Sequence, residues 1–181
     1  MLRELAQVDG LGWIRIHYCY PWGITDSLVE LIAQEEKILP YIDMPLQHIN
    51  ERVLRAMDRK TPPHRIREIL KKLRDGIDDV VLRTTFIVGF PGETDDEFEE
   101  LLEFVEETGF DRAGAFKYSQ EEGTPAGSMD GQVPEEVKEE RYERLLEAQS
   151  EVSLGKNLSL IGTVHEGFIE GEENGDYIAR I

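Results

Sequence analysis

The chain reads as an α/β protein built on parallel strands, and two observations carry that reading. The first is Val80 to Thr94, VVLRTTFIVGFPGET, where a β-branched apolar run breaks at a glycine-proline turn and enters a helix start. A continuous apolar run suits a strand covered on both faces, as in a parallel sheet flanked by helices. The second is repetition. Strand, polar loop and helix recur along the chain, and crossovers of that length join parallel strands. About four strands are visible, half the number in a closed eight-stranded barrel. The expected fold is part of a TIM-like (β/α) barrel, open along one edge and followed by the start of a small β module.

Each element has its own signal. Met1 to Val8 reads as the end of a helix, stopped by Asp9-Gly10. Trp13 to Tyr18 alternates as a strand does, and Pro21 and Gly23 break the loop after it. Thr25 or Asp26 caps a helix with core residues Leu28, Leu31 and Ile32. Tyr41 to Leu46 is a short strand ending in Gln47-His48. Val53, Leu54 and Met57 mark one helix, and Ile66, Ile69, Leu70 and Leu73 a second, with Thr61-Pro62-Pro63 between them. After the Val80 strand, Thr94 and Glu97 have capping-box spacing. Phe98, Leu101, Leu102 and Val105 form that helix's core stripe, and Gly109 stands at C′. Asp111 to Ser119 is a further strand. Pro134 then opens a long helix, Glu135 to roughly Ser153. Beyond Leu160, two strand-like runs flank Asn174-Gly175, a hairpin signal. A lone hairpin is marginal in water, and the first helix opens without a cap, so truncation at both ends is expected.

Composition bounds the function. The 181 residues are 40% hydrophobic, enough for a core, and no apolar stretch could span a membrane. The single cysteine excludes an intrachain disulfide framework and makes a reducing cytoplasm the default location. The net charge of −18 repels nucleic acid and favours basic partners, although much of it only solvates helix faces.

In a parallel barrel the residues just past each strand line one mouth. Here they are Tyr18 to Tyr20, Gln47 and His48, Gly89 to Glu93, and Tyr118 to Gln120. Amides, aromatics and two glycines could hold a nucleoside there. No phosphate loop, dinucleotide fingerprint or triad accompanies them. Plainer roles compete: the glycines make a tight turn, Glu93 opposes the helix dipole, Cys19 packs idly, and His17 and His48 fit no metal spacing. Lys117 could form a Schiff base if desolvated inside a barrel, but an outward, solvated lysine is the ordinary case.

The segments TTFIVGFPGET, YIDMPLQHINERVLRAMDRKT and FKYSQEEGTPA resemble the methylthiotransferase group of radical S-adenosylmethionine (SAM) enzymes. RIHYCYPWGITDSLVELIAQEEKILPYIDMPLQHIN is most similar to the branch that modifies a ribosomal protein, and the resemblance runs from about Leu2 to Ile181. It implies an enzyme with an N-terminal cluster domain, a radical SAM partial barrel and a C-terminal TRAM β-barrel. On that reading residues 1–160 are the later βα units and C-terminal helix of the radical SAM core. Residues 161–181 begin a TRAM-like module. The implied cofactors are S-adenosylmethionine and [4Fe–4S] clusters, and the implied reaction adds a methylthio group to the β-carbon of an aspartate in ribosomal protein uS12. By the resemblance, Gln47, Thr85, Gly89, Phe90, Pro91, Gly92, Glu93 and Tyr118 line the cofactor and substrate mouth.

The family's Cys-x-x-x-Cys-x-x-Cys loop is absent, since Cys19 is the only cysteine. The chain therefore supplies no cluster ligand, names no catalytic residue, and is expected to be inactive without the missing N-terminal part of the enzyme. Its expected substrate partner is uS12 in the small ribosomal subunit, with nucleic acid less favoured. The branch that modifies adenosine in transfer RNA, an iron-free aldolase using Lys117, and a non-catalytic docking module are the alternatives.

Overall fold

The computed structural model describes residues 1–180. Ile181, the end of the expected TRAM-like segment, lies outside the described residues. The elements run α1 (Leu2–Ala6), β1 (Ile14–Ile16), α2 (Asp26–Gln34), β2 (Ile38–Asp43), α3 (Glu51–Ala56), α4 (Pro63–Gly76), β3 (Val81–Val88), α5 (Asp95–Thr108), β4 (Arg112–Lys117), α6 (Glu135–Ser159), β5 (Phe168–Glu173) and β6 (Asp176–Arg180). Strands β1 to β4 form one parallel sheet in sequence order. That is the arrangement of consecutive barrel units. Among the described residues, no helix is long and apolar enough to cross a membrane.

Capping chemistry sets the helix starts. Thr25 accepts from the Leu28 amide at the start of α2, and the Asn50 side chain accepts from the Arg52 and Val53 amides at the start of α3. At α5 the Thr94–Glu97 capping box is complete, and Gly109 ends the helix in the left-handed conformation. The core lies between the sheet and its helices, with Phe86, Phe104 and Phe110 packed edge to face.

Several boundaries depart from expectation. Strand β2 begins at Ile38 rather than Tyr41. Its pairing with β1 runs Ile14↔Ile38 and then Ile16↔Ile42, so an irregularity accommodates Pro40, which has no amide for a ladder. Helix α6 continues to Ser159, past the expected Ser153, because Lys156 pairs with Asp111 at 2.7 Å and ties its last turns to the start of β4. The largest departure concerns β3, which is not covered on both faces. Leu82, Thr84, Phe86 and Val88 are buried against the helices, while Val81, Arg83, Thr85 and Ile87 are half-exposed. The apolar run hides a two-sided strand whose second face is open. Beyond α6, β5 and β6 pair as a hairpin, with positive φ at both Asn174 and Gly175 as a type I′ turn requires. Phe168 packs on Trp13 with ring centroids 4.2 Å apart.

Candidate functional site

Strands β2, β3 and β4 are parallel neighbours, so the segments that follow them leave from the same side of the sheet. Gln47 sits past β2 with φ of 75°, an uncommon conformation for a side-chain-bearing residue. It is held there because its amide donates to the Thr85 carbonyl and its carbonyl accepts from the Ile87 amide. Backbone strain held by its surroundings is frequent at ligand sites. The Tyr118 amide donates to the Val88 carbonyl, so the loop after β4 leaves beside the β3 turn. Phe90 packs edge-on against Tyr118 at 5.2 Å. The Tyr118 hydroxyl is buried and has no hydrogen-bond partner.

The expected mouth residues divide into two sets. Gln47, Thr85, Gly92 and Tyr118 are partly exposed and can meet a ligand. Gly89, Phe90, Pro91 and Glu93 are buried behind them. Glu93 turns inward, where its Oε1 accepts from the Gly89 amide at 3.0 Å and from Arg141 at 2.8 Å. The Phe90 amide donates to its Oε2, and His48 lies 3.5 Å away. His48 Nδ1 accepts from the Asn50 amide at 2.9 Å, which leaves the ring proton on Nε2, facing Glu93. Glu93 therefore shapes the turn, and its carboxylate is fully engaged. Gly89 is required twice: its φ is 71°, and a Cβ there would lie 2.3 Å from Lys138 Cγ on α6. Arg141 carried no sequence signal, since it stands among the charges of a long acidic helix.

Lys117 does not enter the barrel. It points toward α6 and pairs with Glu135 at 2.6 Å and Glu139 at 2.5 Å. Those hydrogen bonds hold its ammonium well above the usual lysine range. A Schiff-base lysine needs the opposite shift. Burial first, and then Asp43, push the Cys19 thiol up, which makes it a packed thiol rather than a reactive thiolate. Among the described residues, no group of three or more His, Cys, Asp or Glu side chains could hold a metal ion.

The open face of the sheet carries a second group that the sequence reading left out. Asp43 is fully buried, 2.9 Å from Arg83 and 3.4 Å from His17. A carboxylate in the apolar strand YIDMPL was the available signal.

The model of the radical SAM superfamily matches residues 1–105. Over 171 residues the chain is 54% identical to the ribosomal protein uS12 methylthiotransferase RimO of Syntrophotalea carbinolica, covering 94% of this chain and 38% of the relative. The RimO of Thermodesulfovibrio yellowstonii is 47% identical over 181 residues, covering 100% of this chain and 43% of the relative. The chain thus spans about two fifths of these curated relatives. Among solved structures, coproporphyrinogen III oxidase (HemN) of Escherichia coli aligns with a TM-score of 0.57 at 21% identity, covering 80% of this chain and 32% of that one. The archaeal Elp3 of Methanocaldococcus infernus aligns at 0.53 with 13% identity, covering 76% of this chain and 32% of that one. These two show a shared fold, which the parallel βα units already indicate. With the family match covering more than half its length, the chain belongs to the radical SAM superfamily.

Proposed function

We propose that this chain is the mouth-forming part of a radical SAM methylthiotransferase that modifies an aspartate β-carbon in ribosomal protein uS12. The observation that carries the reading is the 54% identity, spread over 94% of the chain, to an enzyme of that name. In this reading Gln47, Thr85, Gly92 and Tyr118 hold S-adenosylmethionine, and Gly89, Phe90, Pro91 and Glu93 fix the turn behind it. The unpartnered Tyr118 hydroxyl and the clamped Gln47 suit a polar nucleoside ligand. When bound beside a reduced [4Fe–4S] cluster, that cofactor supplies a hydrogen-abstracting radical. One cysteine cannot ligate such a cluster, so the cluster must be held by residues outside this chain. The chain's own part is to orient the cofactor and exclude water. Residues 1–160 would form the barrel portion, and the β5–β6 hairpin would open a TRAM-like module.

A chimera tests this. The matching segment of the Syntrophotalea carbinolica enzyme is replaced by this chain and expressed in a strain lacking its own uS12 methylthiotransferase. Mass spectrometry should find methylthiolated uS12. Methylthio groups gained on transfer RNA instead, or on neither by a folded chimera, would reject the reading.

A further inference from the structure

Side chains on the open face of the sheet form rows across the strands. Asp43 on β2 stands opposite Arg83 on β3, and Arg83 opposite Arg112 on β4. Tyr41 lies two residues before Asp43 on the same face. Arg15 reaches over its ring from β1, with Cζ 4.4 Å from the centroid. Arg15 on β1, Arg83 on β3 and Arg112 on β4 thus bring three guanidinium groups to neighbouring positions across this face.

This group is unlike a barrel core layer, which is normally filled by branched apolar residues. Arg83 and Arg112 are like charges directly opposite on one face, an arrangement that is unfavourable unless an anion offsets it. Asp43 offsets one charge. Arg15 and Arg112 have no carboxylate partner among the described residues, in a chain with 38 acids and 20 lysines and arginines. Asp43 is itself fully buried, with its Oδ1 lacking any partner. A buried carboxylate in that state gives little net stability, but it fixes the Arg83 guanidinium at 2.9 Å.

Resting on the functional reading above, we propose that Arg83, flanked by Arg15 and Arg112, binds the side-chain carboxylate of the aspartate to be modified. Guanidinium groups bind carboxylates through paired donors in a plane. Asp43 is the positioning residue. Thr85 and Gly114 stand two residues further along the same face, about 7 Å toward the mouth. A carboxylate held in the arginine row therefore presents its β-carbon toward Gln47 and Thr85. Gly114 leaves the approach clear of a side chain. A single side-chain carboxylate suits this small group better than a polyanionic RNA, which the charge of −18 repels.

Two measurements test the site. The first uses the isolated chain and a peptide from uS12 spanning the modified aspartate, with its Asp→Asn counterpart and a transfer-RNA stem-loop as comparisons. The aspartyl peptide should shift the Nε–H resonances of Arg83 and Arg112 and bind at least about tenfold tighter than the asparaginyl peptide. Arg83→Lys should abolish that preference. Asp43→Asn should move the Arg83 resonance and weaken the peptide, with S-adenosylhomocysteine binding unchanged. Equal binding of the two peptides, or arginine shifts only with RNA, would overturn the proposal. The second uses the chimera carrying Arg112→Lys or Arg83→Lys, with folding checked by circular dichroism. Here kcat/KM on uS12 should fall at least about tenfold. A parent chimera that modifies uS12 beside variants of unchanged activity would overturn this site while leaving the functional reading standing. A parent that modifies only transfer RNA would reject that reading, and the peptide titration then decides this site independently.

Discussion

Glu93 shows how one buried side chain can set a turn without meeting a ligand. It takes two backbone amides of the turn and the guanidinium of Arg141, whose own side chain is 5% exposed. Removing one partner of a buried pair leaves the other uncompensated. Glu93→Gln should therefore lower unfolding free energy by about 3 kcal/mol, the low end for such a loss, since Asp95 still holds Arg141. Urea denaturation measures this, and a shift no larger than that of a surface substitution would contradict it. Gly89→Ala should lose about 2–4 kcal/mol, combining a left-handed backbone with overpacking against Lys138. Adding Lys138→Ala should recover part of that loss, a coupling that a double-mutant cycle reads directly. The sequence marked Glu93 only as a first-turn acid or a mouth residue. Its inward orientation depends on Arg141, 48 positions away, and no local pattern encodes so distant a partner.

The α5 start was legible because capping is local chemistry: Thr94, Glu97, the apolar stripe and Gly109 lie within one helix. The β2 start and the α6 end were not, because pairing across Pro40 and the Lys156–Asp111 contact are tertiary events. The open face of β3 leaves no mark in the sequence for a related reason. Val81 and Ile87 keep the run apolar whether or not a layer covers them. Glu97 links elements as well as capping one, since it also accepts from Arg52 of α3 at 2.6 Å. Arg52 first, and then the Thr94 amide, hold the Glu97 carboxyl down at about 2. A depressed carboxyl contributes stability that is fully present above its unfolded pKa of about 4.3 and is lost as pH falls through the folded value. Wild type should thus exceed Glu97→Gln in urea midpoint at neutral pH, with the gap closing as pH falls from about 4 toward 2. Added salt should narrow the gap at neutral pH, because Arg52 is half-exposed. A gap independent of pH would show that the hydrogen-bond geometry, rather than the charge, carries the link.

At the scale of the whole molecule, two features oppose each other. The parallel sheet has β1 and β4 at its edges, and parallel edges present unpaired backbone groups to any similar strand. Its open side and adjoining loops expose Phe116, Tyr18 and Trp22, each more than half accessible. Together these surfaces favour association. The net charge of −18 acts the other way, since copies repel before their edges can meet. Salt decides between them: the screening length is about 30 Å at about 0.01 M and about 3 Å at about 1 M. The isolated chain should therefore sediment as a monomer at the lower ionic strength and self-associate at the higher. Phe116→Lys, placed on the open face opposite Ile87, should delay association to higher salt. Association that is strongest at low salt would show attraction between charged patches instead. A monomer at both extremes would show that the edges and the open face are already satisfied within one chain.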